Sequence, residues 1–211
     1  MKKKVVIIDY GSGNIVSAQQ SFLKAIDINN FEGEVIITDD PKEVGVSSHL
    51  VLPGQGAFKT CIDGLNKIDG MISVLEETVL NKKIPFLGIC VGMQLLANKS
   101  FENGTHIGLG WIEGNIKKIP PKDIKLPHMG WNNVKLKDNK NCKLFFEQNL
   151  DFYFVHSYYF ECINQENVVG LTKYGLDFPS IVAKENIYGV QFHPEKSSEQ
   201  GLNLIKNFLL T

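Results

Sequence analysis

The sequence predicts an α/β fold: a mostly parallel central sheet flanked by helices, with additional antiparallel strands in the second half of the chain. Two observations support this prediction. β-branched runs alternate with amphipathic segments as far as Ala97, which is the pattern of β-α-β units. Beyond Ala97, short apolar pieces are separated by glycines, which indicates hairpins. Composition does not shift along the 211 residues, so we expect a single domain over residues 1–211.

The first half of the chain supplies the parallel strands and their helices. Lys3–Ile8 is a continuous β-branched run, typical of a strand buried on both faces. A helix follows from Ile15, with Asn14 or Ser12 as its expected cap. Further strands are predicted at 34–38, 49–52 and 84–89, and further helices at 57–65 and 70–80.

The second half is predicted to be richer in strands. The strand candidates are residues 115–119, 131–136, 152–156, 168–173, 180–183 and 187–192. A helix over 197–210 closes the chain, with Ser197 or Ser198 as its expected cap.

Charge and composition exclude several classes of protein. Lysine plus arginine (22) nearly equals aspartate plus glutamate (23), which gives no reason to expect a nucleic-acid or membrane partner. The apolar run that ends before Asp9 is too short for a signal peptide, and no transmembrane segment is predicted. We therefore expect a cytoplasmic protein without metal or cofactor, whose widely spaced cysteines stay reduced: Cys61, Cys90, Cys142 and Cys162.

Cys90 lies at a predicted sharp turn between an apolar strand and an apolar helix start. Gly88 and Gly92 flank it in a G-x-C-x-G spacing, which such a turn requires because larger side chains would collide. The turn would place the sulfur at a helix N-terminus, where a thiolate is favoured and the Val91 N–H is free to hold an oxyanion. An inert core cysteine is the alternative. Gln94 favours the first interpretation, since a buried amide without a partner would be costly.

Two further loops are expected near Cys90. Ligands of a doubly wound sheet bind beyond the carboxyl ends of its strands, and the turns at 9–14 and 53–56 end strands at that edge. Gly54, Gln55 and Gly56 could present backbone N–H groups above the sulfur. A plain strand-ending turn is the alternative interpretation of this loop.

His193 is the best candidate for a base among the five histidines. It ends an apolar strand, and Pro194 prevents further pairing. Glu195 lies two residues on, so in extended chain its carboxylate points to the same side and could accept the imidazole N–H that faces away from the thiol. This contact would favour an imidazolium beside a thiolate. His156, by contrast, lies inside an apolar strand, where a core imidazole is the usual interpretation.

Six motifs occur in order along the chain: D-Y-G-S-G-N (9–14), P-G-Q-G (53–56), G-I-C-V-G-M-Q (88–94), P-H-M-G-W-N (127–132), F-V-H-S-Y (154–158) and Q-F-H-P-E-K-S (191–197). The cysteine elbow followed by His-Pro-Glu resembles the class I, or triad, glutamine amidotransferases, over nearly the whole chain. The full set resembles the glutaminase subunits of imidazole glycerol phosphate synthase. That family usually has a small apolar residue where Gln55 stands. The resemblance implies a flavodoxin-like fold.

The resemblance also implies roles for individual residues. Cys90 would attack the side-chain amide of glutamine, with His193 as acid and base and Glu195 as its support. The oxyanion would be held by the Val91 N–H and by an N–H of the 54–56 loop. The residues that would bind glutamine are Gln94, Ser157 and Tyr158.

A partner is implied as well. Ammonium is not nucleophilic, so ammonia must pass to its acceptor through a dry passage, and this chain has no room for a second active site. The resemblance therefore implies a heterodimer with a β/α-barrel cyclase that forms imidazole glycerol phosphate for histidine biosynthesis. The residues that match family positions near that contact are Asn14, Met129, Trp131 and Lys196. The alternative interpretations are a helix cap for Asn14, core packing for Met129 and Trp131, and a solvated side chain for Lys196.

Three other functions are compatible with the motifs. The same Cys-His-Glu set serves any acyl transfer, so a stand-alone cysteine hydrolase is one. A related amidotransferase that supplies ammonia to a sugar-modifying partner is the second. The third is a non-catalytic binding module, against which the complete triad argues.

Overall fold

The structure of the protein, a computed structural model, describes residues 3–121, 124–137 and 150–211. Cys142 lies outside these residues. The strands are β1 (Lys3–Ile8), β2 (Gly33–Thr38), β3 (His49–Gly54), β4 (Phe86–Cys90), β5 (Lys99–Ser100), β6 (His106–Ile107), β7 (Gly114–Lys118), β8 (His128–Leu136), β9 (Leu150–His156), β10 (Tyr158–Cys162), β11 (Val168–Tyr174), β12 (Leu176–Lys184) and β13 (Ile187–Val190). The α-helices are α1 (Ile15–Ile28), α2 (Pro41–Gly45), α3 (Phe58–Lys67), α4 (Met71–Glu76), α5 (Val91–Gln94) and α6 (Ser198–Leu209), and a π-helical turn, Glu77–Asn81, continues α4.

A nine-stranded sheet runs through the molecule in the order β2-β1-β3-β4-β13-β12-β11-β8-β9. The five strands from β2 to β13 are parallel, and the rest are antiparallel. This arrangement confirms the predicted fold class. The order of the parallel strands is that of flavodoxin-like sheets, so ligands are expected beyond their carboxyl ends. A second sheet has the order β10-β7-β5-β6.

Burial explains why the apolar runs form the central strands. Val5 through Ile8 in β1 are completely buried, as expected for a parallel strand covered on both faces. Helices α1 and α6 pack together, and the rings of Phe22 and Phe208 meet edge to face with centroids 6.2 Å apart. In the described part of the chain, no helix is long and apolar enough to cross a bilayer. The single domain over 1–211 stays a prediction, as does the cytoplasmic location.

Every predicted strand is present, with boundaries shifted by a few residues, but three strands were not predicted. β5 and β6 have two residues each, too short for a periodic pattern. β10 follows β9 after a single residue, Ser157, and leaves the main sheet to pair with β7. Two strands so close in sequence look like one apolar run.

The predicted helix after Cys90 is much shorter than expected. α5 has only four residues, although Met93, Leu95 and Leu96 are fully buried as predicted. The loop at 108–112 replaces the next helical turn: Leu109 N–H donates to Leu95 O at 2.7 Å, and Ile112 N–H donates to Leu96 O at 3.1 Å. A helix of four residues has a smaller dipole than the longer helix that was predicted, so it stabilises a thiolate at Cys90 less than expected.

The cap positions are as predicted, but the capping hydrogen bonds are absent. Asn14 and Ser197 are the N-cap residues of α1 and α6. Neither the Asn14 side chain nor that of Ser12 caps α1. The Ser12 hydroxyl instead donates to Gln55 O at 2.6 Å. No serine side chain caps α6 either, and the Ser197 hydroxyl donates to His193 O at 2.6 Å. In both places the hydroxyl donates to a backbone carbonyl near the pocket described below. The Gln55 carbonyl is 43 residues from Ser12 along the chain, and the His193 carbonyl is four residues before Ser197.

Candidate active site

Cys90 sits on a strained turn between β4 and α5. Its φ is +55° and its ψ is −110°, a conformation that non-glycine residues rarely adopt and that is held only by the surrounding structure. The flanking glycines are sterically required, as the spacing predicts. A Cβ at Gly88 would lie 2.6 Å from Gly92 O, and one at Gly92 would lie 1.8 Å from Leu52 O.

A pocket opens beside Cys90 at the carboxyl ends of the parallel strands. Its lining comes from segments that are far apart in sequence: Gln55, Gly56, Cys90, Val91, Gln94, Glu102, Pro127, Val155, His156, Ser157, Tyr158 and His193. The structure therefore brings together most of the residues predicted for catalysis, for the oxyanion and for glutamine. In the parts of the chain that the structure describes, no group of three or more His, Cys, Asp or Glu residues is placed to hold a metal ion.

His193 and Glu195 form a buried pair. Nδ1 of His193 lies 2.8 Å from Oε1 of Glu195, and their side chains are 6% and 4% exposed. Burial lowers the pKa of His193, but the Cys90 sulfur and the Glu195 carboxylate outweigh it and raise the pKa to about 10. Nε2 of His193 makes no hydrogen bond of ordinary geometry with any described residue. The bonded Nδ1 thus leaves Nε2 available for proton exchange with the sulfur.

The sulfur is also approached by a glutamine that was not predicted as a site residue. Nε2 of Gln191 lies 3.7 Å from Cys90 Sγ, and the Gln191 side chain is fully buried. Its Oε1 accepts a 3.0 Å hydrogen bond from Nε2 of Gln94, which also donates to Tyr158 O at 3.2 Å. A polar amide near the end of the apolar run 187–192 was the available signal, by the same reasoning that singled out Gln94.

The loop after β3 lies directly against the elbow. Gly54 and Cys90 are register partners in the sheet, and a Cβ at Gly54 would lie 2.6 Å from Gly92 N and 2.8 Å from Val91 Cβ. The hydroxyl of Ser12 holds the Gln55 carbonyl. The structure thus places the loop beside the Val91 amide, while the assignment of individual N–H groups as oxyanion donors stays a prediction.

Comparison with known proteins agrees with this geometry. The family model for class-I glutamine amidotransferases matches residues 6–211. The chain is 44% identical over 209 residues to the imidazole glycerol phosphate synthase subunit HisH of Rhodospirillum rubrum, and 42% identical over 213 residues to that of Brucella suis biovar 1, in each case over 98% of both chains. The chain belongs to the HisH family of class-I glutamine amidotransferases. The predicted resemblance is thereby confirmed.

Solved structures share the fold of this amidotransferase. A crystal structure of a glutamine amidotransferase superposes with a TM-score of 0.71 at 15% identity, covering 98% of this chain and 99% of that one. A glutamine amidotransferase from Thermotoga maritima superposes with a TM-score of 0.65 at 20% identity, covering 92% of this chain and 77% of that one. At such identities the likeness concerns the fold alone.

Glu102 is a second pocket residue of the amidotransferase that sequence reasoning missed. Its Oε2 accepts a 2.7 Å hydrogen bond from Phe58 N, and its side chain lines the pocket with Tyr158. A single glutamate in a polar loop carries no local signal. Only the fold shows that the segment after β5 returns to Cys90.

Three of the four residues predicted at a partner contact lie close together on the surface. Met129 and Trp131 are 62% and 54% exposed, so the core-packing alternative is wrong for both. Trp131 meets the ring of Tyr153 at 6.3 Å, and Nζ of exposed Lys196 lies 5.9 Å from the centre of the same ring. Asn14 is half-buried at the start of α1. We call Met129, Trp131, Tyr153 and Lys196 the aromatic patch.

Proposed function

We propose that this HisH-family amidotransferase hydrolyses glutamine to glutamate and ammonia through a thioester on Cys90, and passes the ammonia to the cyclase subunit of imidazole glycerol phosphate synthase in the cytoplasm. The observation that carries the proposal is that Cys90 and His193 line one pocket, while Glu195 holds the His193 ring by a 2.8 Å hydrogen bond. The relatives that match 98% of the chain are named as subunits of that synthase.

The first half of the reaction forms the thioester. His193 Nε2 takes the proton of Cys90, and the sulfur attacks the amide carbon of the substrate. Charge moves onto the amide oxygen, which the Val91 N–H and an N–H of the 54–56 loop stabilise. When the tetrahedral intermediate collapses, the carbon–nitrogen bond breaks and His193 returns the proton to the leaving nitrogen. Ammonia is released and the glutamyl group stays on Cys90.

The second half frees the enzyme. Water enters the pocket, and His193 Nε2 takes one of its protons as the oxygen attacks the thioester carbon. The same oxyanion forms, the carbon–sulfur bond breaks, and glutamate leaves while the proton returns to Cys90. Glu195 accepts the Nδ1–H of His193 in both halves, which keeps Nε2 directed at the reacting atoms.

The remaining lining residues suit the amino-acid end of glutamine. Gln94, Ser157 and Tyr158 form the wall of the pocket, and the carboxylate of Glu102 complements the α-ammonium group of the substrate. This contact needs a free α-ammonium group, which a glutamine residue inside a peptide lacks. The site therefore favours an amino acid over a peptide.

The aromatic patch supports a protein partner. Large exposed apolar side chains grouped together mark interaction surfaces, and more than half of the surface of both Met129 and Trp131 is exposed. Cys90, by contrast, is only 4% exposed. A cyclase docked over the patch would keep ammonia out of bulk water, where it would be protonated.

Glutamate release tests the proposal directly. It should rise when a cyclase subunit and its nucleotide substrate are added to the wild-type protein, and a Cys90→Ala variant should show no turnover. Cleavage of peptides at a partner-independent rate would instead favour a stand-alone cysteine hydrolase. Stimulation by a sugar-modifying subunit alone would favour the related amidotransferase function.

A further inference from the structure

His128 and His156 are two buried histidines outside the catalytic triad. They belong to a series of hydrogen bonds that runs from Asn132 to the wall of the pocket. Nδ2 of Asn132 lies 3.1 Å from Nε2 of His128, whose Nδ1 lies 2.9 Å from Nε2 of His156. Nδ1 of His156 lies 2.8 Å from Tyr158 O. His128 and His156 are register partners on β8 and β9, which explains why two motifs 28 residues apart meet here.

The direction of every hydrogen bond in this series follows from its last acceptor. Tyr158 O can only accept, so Nδ1 of His156 carries the proton and Nε2 of a neutral ring must accept. Nδ1 of His128 is then the donor between the rings, and its Nε2 accepts from Asn132. The second hydrogen of that amide goes to Lys173 O at 3.1 Å. All four ring nitrogens are paired, and both rings are neutral.

The surroundings keep the two rings neutral and in place. Burial lowers the pKa of His128 to about 4 and that of His156 to about 3. The His128 ring stacks on Tyr174 at 4.0 Å and on Phe154 at 4.8 Å. A flat ring between two flat rings has little freedom to rotate, so the donor to His156 is fixed.

The series continues from Tyr158 to the sulfur. Tyr158 O accepts a second hydrogen bond, from Nε2 of Gln94, whose other hydrogen goes to Oε1 of Gln191. Nε2 of Gln191 in turn faces Cys90 Sγ. The orientation of Gln94 thus depends on a carbonyl that His156 holds in place.

We propose that His156, oriented by His128, is a positioning residue for glutamine binding: it fixes the Tyr158 carbonyl and, through it, the Gln94 amide in the wall that receives the substrate. The inference rests on the proposed glutaminase function. His156 also lines the pocket with Ser157 and Tyr158, so a shift of its ring would move the backbone there. The proton-transfer step of the triad does not pass through it.

A matched pair of variants separates this role from packing. In His156→Asn the side-chain amide can occupy the place of Nδ1 and still donate to Tyr158 O, whereas His156→Leu has similar bulk and no donor. We expect His156→Leu to raise the KM for glutamine about tenfold with kcat within about threefold of wild type, and His156→Asn to restore most of the loss. Equal KM in the two variants, or a loss of kcat at unchanged KM, would overturn the inference.

A second pair of variants, at His128, tests the inference in case the substitutions at residue 156 prevent folding. His128→Asn keeps a donor toward His156 Nε2, and His128→Leu removes it, so the same ordering of KM is expected with a smaller difference. Circular dichroism and thermal unfolding check that each variant is folded. If both folded pairs show no such ordering, the inference is wrong.

Alkylation of Cys90 distinguishes failure of the inference from failure of the proposed function. Iodoacetamide needs only the reactive sulfur, whereas a glutamine-shaped diazoketone needs the binding wall as well. We expect His156→Leu to slow the second reagent about tenfold and leave the first unchanged. A wild-type protein with no preference for the glutamine-shaped reagent would overturn both proposals. Equal rates for the diazoketone in wild type and His156→Leu would overturn the inference alone.

Discussion

Nδ1 of His193 donates a 2.8 Å hydrogen bond to Oε1 of Glu195, and both side chains are almost completely buried. Burial by itself would make the imidazolium unfavourable. The carboxylate and the nearby sulfur reverse that effect, so the pKa of His193 is raised to about 10. This pair therefore both orients the ring and stabilises its charged form, which the thioester chemistry requires.

Replacing the carboxylate by an amide should separate those two effects. Glu195→Gln keeps an oxygen near Nδ1 but removes the charge, so we expect the pKa of His193 to fall and kcat to fall by about 10²-fold. A proton NMR titration of the His193 ring and steady-state glutaminase rates measure the two outcomes. The exposed Glu199→Gln is the control and should match wild type. An unchanged His193 titration in Glu195→Gln would contradict this explanation.

The pH dependence of the free energy of unfolding should reveal the lowered pKa of the buried His49. Burial and the charge of Lys3 lower its pKa to about 4, whereas the unfolded chain takes up the proton near 6.5. Between pH 4 and 6.5 the unfolded state thus binds more protons than the folded state. The contribution of neutral His49 to the free energy of unfolding is therefore complete above pH 6.5 and is lost as the pH falls toward 4. We expect His49→Leu to reduce the pH dependence of unfolding free energy by up to about 1.4 kcal/mol per pH unit in that range.

Urea unfolding at several pH values between 7 and 4 measures this difference. Thr78→Val, another fully buried substitution, carries no titrating group and should keep the wild-type pH dependence. Parallel stability curves for His49→Leu and wild type would show that His49 has the same pKa in the folded and unfolded states, and would contradict the lowered pKa.

The elbow glycines should be intolerant of a methyl group. A Cβ at Gly92 would lie 1.8 Å from the backbone oxygen of Leu52, which cannot move without breaking the sheet. We expect Gly92→Ala to lower the free energy of unfolding by about 3 kcal/mol and to abolish glutaminase activity. Gly45→Ala is the matched control, because its new Cβ would lie 3.3 Å from the movable Val74 side chain. Wild-type stability in Gly92→Ala would contradict the steric explanation.

Glu102 should act on substrate binding and not on the chemical step. Glu102→Gln retains a side-chain oxygen for the 2.7 Å bond from Phe58 N but loses the charge that faces the pocket. We expect the KM for glutamine to rise about tenfold with kcat nearly unchanged. Glu113→Gln, an exposed substitution outside the pocket lining, is the control. A wild-type KM in Glu102→Gln would remove Glu102 from the binding site.

Local sequence predicted the parts of the site whose geometry is itself local. The glycine spacing around Cys90 is a property of a few consecutive residues, so steric reasoning was sufficient. The contact between His193 and Glu195 is present as predicted, but it forms across a 3-10 turn, Pro194–Lys196, and not in the extended chain that the prediction assumed. The alternation of strands and helices likewise predicted the parallel sheet. The early end of α5 could not be predicted, because the loop at 108–112 supplies the competing hydrogen bonds.

The residues that were missed act across the fold. His156 was interpreted as a core imidazole, which its burial supports, but its bond to His128 depends on the register of β8 and β9. Ser12 and Ser197 were among the expected helix caps, and their hydroxyls instead donate to the carbonyl of Gln55, 43 residues away, and to that of His193, four residues earlier. Packing decides whether such a hydroxyl bonds to a helix N–H or to a carbonyl, and one sequence does not reveal that packing.

A covalent intermediate on Cys90 is the central claim, and mass spectrometry of protein quenched in acid during glutamine turnover measures it most directly. We predict the mass of a glutamyl group on the peptide that contains Cys90, and none on that peptide from Cys90→Ala, which has no nucleophile. Full glutamine turnover by Cys90→Ala, or a glutamyl adduct confined to another residue such as Cys61, would contradict the claim.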